Sequence, residues 1–310
     1  MEKIVIAIGG NAITKEKEKG SFAEQMSNIN DSMKAIIRLI KEGYRVILTH
    51  GNGPQVGNIL IQNESAKKTV PPQPLDICVA KTQGQIGDMI SRSLISSLKK
   101  EHIERDVITV LTHVEVSESD PAFKNPTKPV GPFFTKDEAE EMASSKGYTM
   151  VEDSGRGYRR VVPSPMPLNI IEQKTINTLA ENAVVIAVGG GGIPVCMEND
   201  ILKGVEAVID KDYASALLAS QINAEQLIIL TGVKQVAVDF GKPEQRFLTA
   251  MTFDEAKNYM DSGQFPRGSM GPKIEAALNY LRNGGKRVTI TDIDSLHDAA
   301  RGLAGTSITM

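Results

Sequence analysis

Five charged residues stand where their neighbours could set them to work on an anion. The segment GVEAVIDKD (204–212) places Asp210, Lys211 and Asp212 directly after an apolar, strand-like run. GSMGPK (268–273) places Lys273 in the first turn of a helix, behind Gly268 and Gly271. A lysine there sits beside the helix's partial positive charge, which is costly unless an anion is shared. KNPTKPVGPFF (124–134) sets Lys128 between Pro126 and Pro129. Proline fixes φ, removes a backbone donor and restricts the residue before it. That stretch is therefore neither a helix nor a central strand, and Lys128 rides on a stiff backbone. A lone lysine usually just faces solvent; small, glycine-rich or apolar surroundings favour a phosphate contact instead. Phosphoryl transfer asks for alignment and for cations on charged oxygens more than for covalent help. An aspartate between two lysines can hold both ammonium groups in place.

Glycine clusters could complete such a site. Three apolar runs end in them: GGNA (9–12), GNGPQVG (51–57) and GGGGIP (189–194). In open α/β sheets, ligands bind beyond the carboxyl ends of the strands. Glycines there let backbone N–H groups approach an anion, helped by the next helix's N-terminus. One cluster alone signals only a turn; three at equivalent positions point to a shared anion site. No segment matches the GxxxxGK[ST] phosphate loop. GNGPQVG has only a loose dinucleotide form, because position 56 is Val where that fingerprint has Gly. Asp76 lies at about the distance that fingerprint wants its acid, but behind PPQP rather than at a strand end.

The elements that must position these residues alternate between strand and helix. KIVIAI (3–8), YRVILTH (44–50), VITVLT (107–112), AVVIAV (183–188), QLIILT (226–231) and RVTIT (287–291) read as buried strands. KQVAVD (234–239) is close enough to QLIILT to pair with it. Amphipathic helices are expected over Ala23–Lys41, closed by Gly43, over Leu75–Lys99, and over Pro272–Asn283. Continuous apolar strands alternating with helices imply a mostly parallel sheet covered on both faces. The expected fold is a three-layer α/β/α open sandwich. From about Glu115 to Pro167 the pattern breaks into a proline-rich stretch too long for a simple loop. It reads as an inserted subdomain, a small lid with short hairpins.

Whole-chain properties narrow the class. The 310 residues suffice for one large domain or two lobes. With 35 basic against 38 acidic residues, the net charge of −3 argues against a nucleic-acid protein, GRGYRR (155–160) being the best local basic patch. No apolar run is long enough to cross a bilayer, and MEKIVIAIGG reads as a first strand rather than a secretory signal. Cys78 and Cys196 form no CxxC, and as buried free thiols they fit a reducing cytoplasm. His50, His102, His113 and His297 show no metal-ligand spacing and are expected to be structural or surface residues.

These residues resemble the carbamate kinase family of the amino acid kinase superfamily, nearly end to end. The resemblance rests on IGGNA (8–12), THGNGPQVG (49–57), DPAFKNPTKPVGPFF (120–134), GRGYRRVVPSPMP (155–167), GGGGIPV (189–195), GVEAVIDKD (204–212) and GSMGPK (268–273). PTKPVGPF and GRGxRRVVPSPxP are specific to the family, while GGNA and GSMGPK are shared more widely.

The resemblance implies the reversible reaction of ATP with carbamate to give ADP and carbamoyl phosphate, with Mg²⁺ carried mainly by the nucleotide phosphates. It implies a cytoplasmic homodimer serving arginine, purine or allantoin breakdown. A lobe of about 1–205 would hold carbamate or carbamoyl phosphate, with residues 115–166 protruding over it. A lobe of about 206–310 would hold the nucleotide. Gly9, Gly10, Asn11, Gly51, Asn52 and Gly53 would bind the acid substrate and the transferring phosphoryl group. Lys128 would reach in from the subdomain, and Lys211 and Lys273, organised by Asp212, would neutralise phosphoryl oxygens. Asp210, Lys211, Thr231, Met270, Gly271 and Lys273 would line the nucleotide side.

The chain departs from the family where Gly232 replaces the acid of a TDV motif, and at Tyr158, Phe134 and Asp88. Two other readings stand beside this one. Another acid kinase would act on an amino-acid carboxylate; the compact PTKPVGPF element argues against it. A non-catalytic nucleotide-binding regulator would fit Gly232, but not retention of Lys128, Lys211, Asp212 and Lys273 together.

Overall fold

The computed structural model describes every residue except Met1, Glu16, Lys17, Ser154, Arg156 and Arg267, and at Asn11 the backbone alone. Eight strands form the central sheet in the order Ala250–Thr252, Thr306–Thr309, Arg287–Thr291, Gln226–Leu230, Lys3–Ile8, Arg45–His50, Ala183–Ile186, Asp106–Thr109. From Arg287–Thr291 to Asp106–Thr109 every neighbouring pair is parallel. Thr306–Thr309 runs against Arg287–Thr291.

The inner strands are largely apolar because both faces are covered. Side chains alternate between faces along each strand. Val5, Ala7, Ile47, Val185, Leu227 and Ile229 pack toward the helices Lys211–Gln221 and Met270–Arg282. Ile4, Ile6, Val46, Leu48, Val184 and Ile228 pack toward Phe22–Lys41 and Leu75–Lys100. Phe22–Lys41 starts at Ser21 with a reciprocal bond set to Glu24 and stops at Gly43, whose φ of +87° few other residues adopt.

Two expectations need correction. KQVAVD does not pair with QLIILT, because both edges of Gln226–Leu230 are taken by Lys3–Ile8 and Arg287–Thr291. Val236–Val238 instead pairs with Arg246–Leu248 in a ribbon of its own. The run before Asp210 is not a strand either. The strand Ile201–Gly204 ends at Gly204, and Ala207, Val208 and Ile209 are apolar because they are buried under the site.

The proline-rich stretch folds as a three-stranded antiparallel sheet, with Tyr158–Val162 between Lys128–Phe134 and Thr149–Glu152. It also carries an unforeseen helix, Lys136–Lys146, capped by Thr135 and Glu138 and ended by Gly147. Lys128–Phe134 is an edge strand, the place where a sheet tolerates prolines. Its register shifts after Val130, and Gly131 adopts φ +75°. Among the described residues, no helix is long and apolar enough to cross a membrane.

Candidate active site

All three glycine clusters lie at the carboxyl ends of adjacent parallel strands. Lys3–Ile8 runs into Gly9 and a single turn, Gly10–Ala12, closed by the N–H groups of Ile13 and Thr14 on the Gly10 carbonyl at 2.9 and 2.8 Å. Arg45–His50 runs into Gly51, whose N–H bonds the Ile8 carbonyl at 3.2 Å and ties the two clusters together. Asn52 then starts the helix Gly53–Ala66 without capping it through its side chain. The Asn52 amide instead donates to Thr82 at 2.8 Å, deep in the protein. Gly190 of the third cluster lies against that amide at φ +67°; a Cβ there would come within 2.2 Å of Asn52 Nδ2. Only glycine fits both the backbone and the space.

The lysines converge on the same edge. Asp210 caps the helix Lys211–Gln221, its Oδ1 accepting the Asp212 N–H at 2.9 Å. Lys211 donates to Asp212 Oδ1 at 2.5 Å, and Lys273, from the helix Met270–Arg282, donates to Asp212 Oδ2 at 3.1 Å. Burial alone would push the Asp212 carboxyl up, but the two ammonium groups prevail and hold it below the usual carboxylate range. The Lys211 stem passes over Gly51, so a Cβ there would sit 3.3 Å from Lys211 Cδ. Ser215, one turn on, donates to the Lys211 carbonyl and bonds Thr49 at 2.6 Å, fastening this helix to the Arg45–His50 strand.

From the opposite side the proline-framed strand brings Lys128 to Asp210 Oδ2 at 2.7 Å. The strand leans on the helix Gly53–Ala66, where Gly57 leaves room for Gly131.

One cavity of about 310 Å³ is therefore lined by Gly10, Gly51, Asn52, Gly53, Lys128, Asp210, Lys211, Asp212 and Lys273 together. Gly9 lies just behind it, under the Leu230 carbonyl, and Asn11 follows in the same turn, its side chain outside the described residues. Thr231, Met270 and Gly271 do not line this cavity. Thr231 closes its strand by bonding the Thr291 carbonyl at 2.8 Å, and Met270 packs against the core. Gly271 borders a neighbouring cavity that shares Pro272 with the first.

A profile of the amino acid kinase family matches residues 2–292. The carbamate kinase of Thermococcus kodakarensis is 47% identical over 99% of both chains. Carbamate kinase 2 of Staphylococcus epidermidis is 48% identical, again over 99% of both. The chain belongs to the carbamate kinase branch of the amino acid kinase family. Its fold agrees with that of Giardia lamblia carbamate kinase bound to AMP-PNP, with a TM-score of 0.94 and 43% identity over 99% of this chain and 98% of that one.

Within this family member, the chain's departures divide by location. Asp88 pairs with Arg92 at 3.6 Å on an exposed helix face. Phe134 and Tyr158 are register partners on neighbouring strands, so two aromatic departures face one another. Gly232 is exposed beyond the end of its strand.

His50 is buried, and burial brings its pKa down to about 4, with Lys211 pushing the same way. It is neutral at pH 7 and donates to the Gly51 carbonyl at 2.9 Å, a structural member of the glycine edge. At 155–160, the best candidate for a local basic patch, the described arginines are paired with acids: Arg159 faces Asp153 at 3.3 Å and Arg160 faces Glu206 at 3.1 Å, while Arg156 lies outside the described residues.

Sequence reasoning counted Gly190 only within its cluster and did not single out Val208, Ile209, Gly268 or Ser269 as contacts, although all five line the cavity. Their signal was the glycine-rich or apolar run each belongs to. The Lys128–Asp210 pair had no such signal, because its members are 82 residues apart.

Among the described residues, no group of three or more His, Cys, Asp or Glu could hold a metal ion. The carboxylates lining the cavity, Asp210 and Asp212, are each committed to lysines. Such a donor set fits a cation carried on nucleotide phosphates, the usual habit of Mg²⁺, rather than one held in a protein cage.

Proposed function

We propose that this chain is a carbamate kinase, catalysing the reversible transfer of a phosphoryl group between ATP and carbamate. A carbamate oxygen attacks the γ-phosphorus, the bond to the ADP oxygen breaks, and carbamoyl phosphate and ADP result. In the opposite direction, which we take as the catabolic one, the enzyme makes ATP. The observation that carries this reading is the convergence of Lys128, Lys211 and Lys273 on one glycine-lined cavity.

Carbamate is already an anion, so the site needs no general base, and neutral His50 is not asked to be one. Lys211 and Lys273 bind the oxygens on which charge gathers, while Asp212 fixes their separation. Gly10, Asn11, Asn52 and Gly53 cradle the acid substrate through backbone donors and the Gly53 helix start, while Gly9 and Gly51 shape the turns that present them. Lys128 holds that anion from the arm. The nucleotide's phosphates reach Lys211 and Lys273 beside Asp210, and its remainder extends toward Thr231, Met270 and Gly271. Mg²⁺ bound with ATP or ADP supplies further neutralisation of phosphate charge. Residues 1–205 thus form the carbamate side and 206–310 the nucleotide side, in a cytoplasmic homodimer. Size-exclusion chromatography with light scattering tests the dimer.

Supplying ADP, Mg²⁺ and carbamoyl phosphate to the folded protein in a coupled assay should yield ATP. No ATP would sink this reading. Glutamate or aspartate phosphorylation from ATP, in place of carbamate, would reassign the enzyme to another acid kinase.

A further inference from the structure

Three ammonium groups, those of Lys128, Lys211 and Lys273, share a cavity with two carboxylates, Asp210 and Asp212. Like charges brought together this closely repel unless carboxylates stand between them. The two carboxylates divide the task. Asp212 takes both lysines of the nucleotide side, at 2.5 and 3.1 Å. Asp210 takes the arm lysine at 2.7 Å. The aspartates are two residues apart at a single helix start, and the Asp210 carboxylate also accepts the Asp212 N–H. One helix terminus therefore holds the lysines of both sides.

We infer that Asp210 is a positioning residue for Lys128: it docks the proline-framed arm over the cavity and aims the ammonium group at the acid substrate. One Asp210 oxygen is occupied by the helix cap, which fixes the carboxylate's orientation. The other receives Lys128. An ammonium group has three donors, so pairing with Asp210 leaves two for the substrate anion. Proline on the C-terminal side of Lys128 limits the arm's alternatives, so one ion pair suffices to choose among them. Asp210 thereby acts on the acid substrate through Lys128, in addition to bordering the nucleotide side. This inference rests on the carbamate kinase reading for its kinetic arm only.

The test uses Asp210→Asn, Lys128→Ala and the double variant in the full-length protein. Asparagine still caps a helix, so the fold and the Lys211–Asp212–Lys273 cluster are retained. Asp210→Asn should lower kcat/KM for carbamoyl phosphate about tenfold, the scale of losing a charged partner, and by about the same factor as Lys128→Ala. In a Lys128→Ala background the same change should have little further effect. Hydrogen exchange of segment 128–134 should rise in Asp210→Asn and in Lys128→Ala to the same extent, and no further in the double variant. Unchanged or increased kcat/KM for carbamoyl phosphate, or additive losses in the double variant, would overturn the inference. If the unaltered protein makes no ATP, the kinase reading fails, and the exchange measurement alone decides whether Asp210 holds the arm; unchanged exchange in Asp210→Asn would then overturn it.

Discussion

The two places where lysines meet the cavity are built differently. Lys211 and Lys273 lie on helices packed into the core, and their side chains are 14% and 18% exposed around an Asp212 that is 4% exposed. Lys128 comes from a small edge-stranded sheet; its side chain is 36% exposed and its partner Asp210 16%. Charges out of water interact strongly, and breaking one leaves its partner uncompensated. Charges near water interact weakly, and their partners re-solvate. On the proposed reading the core pair serves where geometry must not change during transfer. On that same reading the arm serves where an anion must enter and leave, its charge near water while Val130 behind it stays buried.

The rest of the subdomain follows the same logic. Lys146 pairs with Glu64 and Arg160 with Glu206, joining the subdomain to the body. Arg160 also lies over the Tyr148 ring at 4.0 Å from its centre. Beneath these pairs, Val130 and Val162 pack with Val56, Leu75 and Val79 of the body.

The contrast breaks if the variants do not rank accordingly. Asp212→Ala should be the most damaging, lowering stability by roughly 3–5 kcal/mol because two buried ammonium groups lose their partner. Urea unfolding and the coupled assay measure both consequences. Lys211→Ala and Lys273→Ala should each lower kcat by an amount worth roughly 2.7–4 kcal/mol while the fold persists, the cost of a lost oxyanion donor. Near-normal turnover in either would remove the core pair from the mechanism.

His50 extends the core side of the comparison to pH. The unfolded histidine takes a proton near its ordinary value of 6.5, the folded one only at about 4. Its contribution is therefore complete above pH 6.5 and lost as pH falls toward 4, roughly 3 kcal/mol over that window. Chemical denaturation at pH 7 and pH 4 should show that loss, and His50→Gln should flatten it. An equally steep slope in the variant would mean that other groups carry it.

Lys128→Ala should act less on stability and more selectively on substrate. KM for carbamoyl phosphate should rise while ADP affinity holds, with melting temperature nearly unchanged. A loss confined to ADP would reverse the assignment of the two sides. Smallest of all, Lys146→Ala should change stability by about 1 kcal/mol, since its partner Glu64 is 37% exposed and keeps Lys67 as a second partner. A larger loss would show that this pair is a main anchor of the subdomain to the body.

Much of this was legible before any coordinates. Apolar runs ending in glycine marked the parallel strands and their ligand edge, since only buried strands can be apolar on both faces. The prolines of 126–132 excluded a central strand, and Lys128–Phe134 is an edge. Where reading failed, the cause was non-local. The run 205–209 looks like a strand because it is buried, and burial does not specify pairing. KQVAVD looks like a neighbour of QLIILT because it is adjacent in sequence, but Gln226–Leu230 has both edges filled from residues more than fifty positions away. The helix Lys136–Lys146 is mostly exposed, and its capping residues were the signal overlooked.

What the sequence by itself determined is chemistry and local stiffness: lysines beside aspartates, glycines after apolar runs, prolines around Lys128. These depend on residue type and near neighbours, so composition and spacing carry them. Only the tertiary structure decided which charge meets which. Lys273 reaches Asp212 across 61 residues and Lys128 reaches Asp210 across 82. Those meetings are set by the parallel order of the sheet, which brings distant strand ends to one edge and leaves opposite charges there to sort themselves by burial and reach.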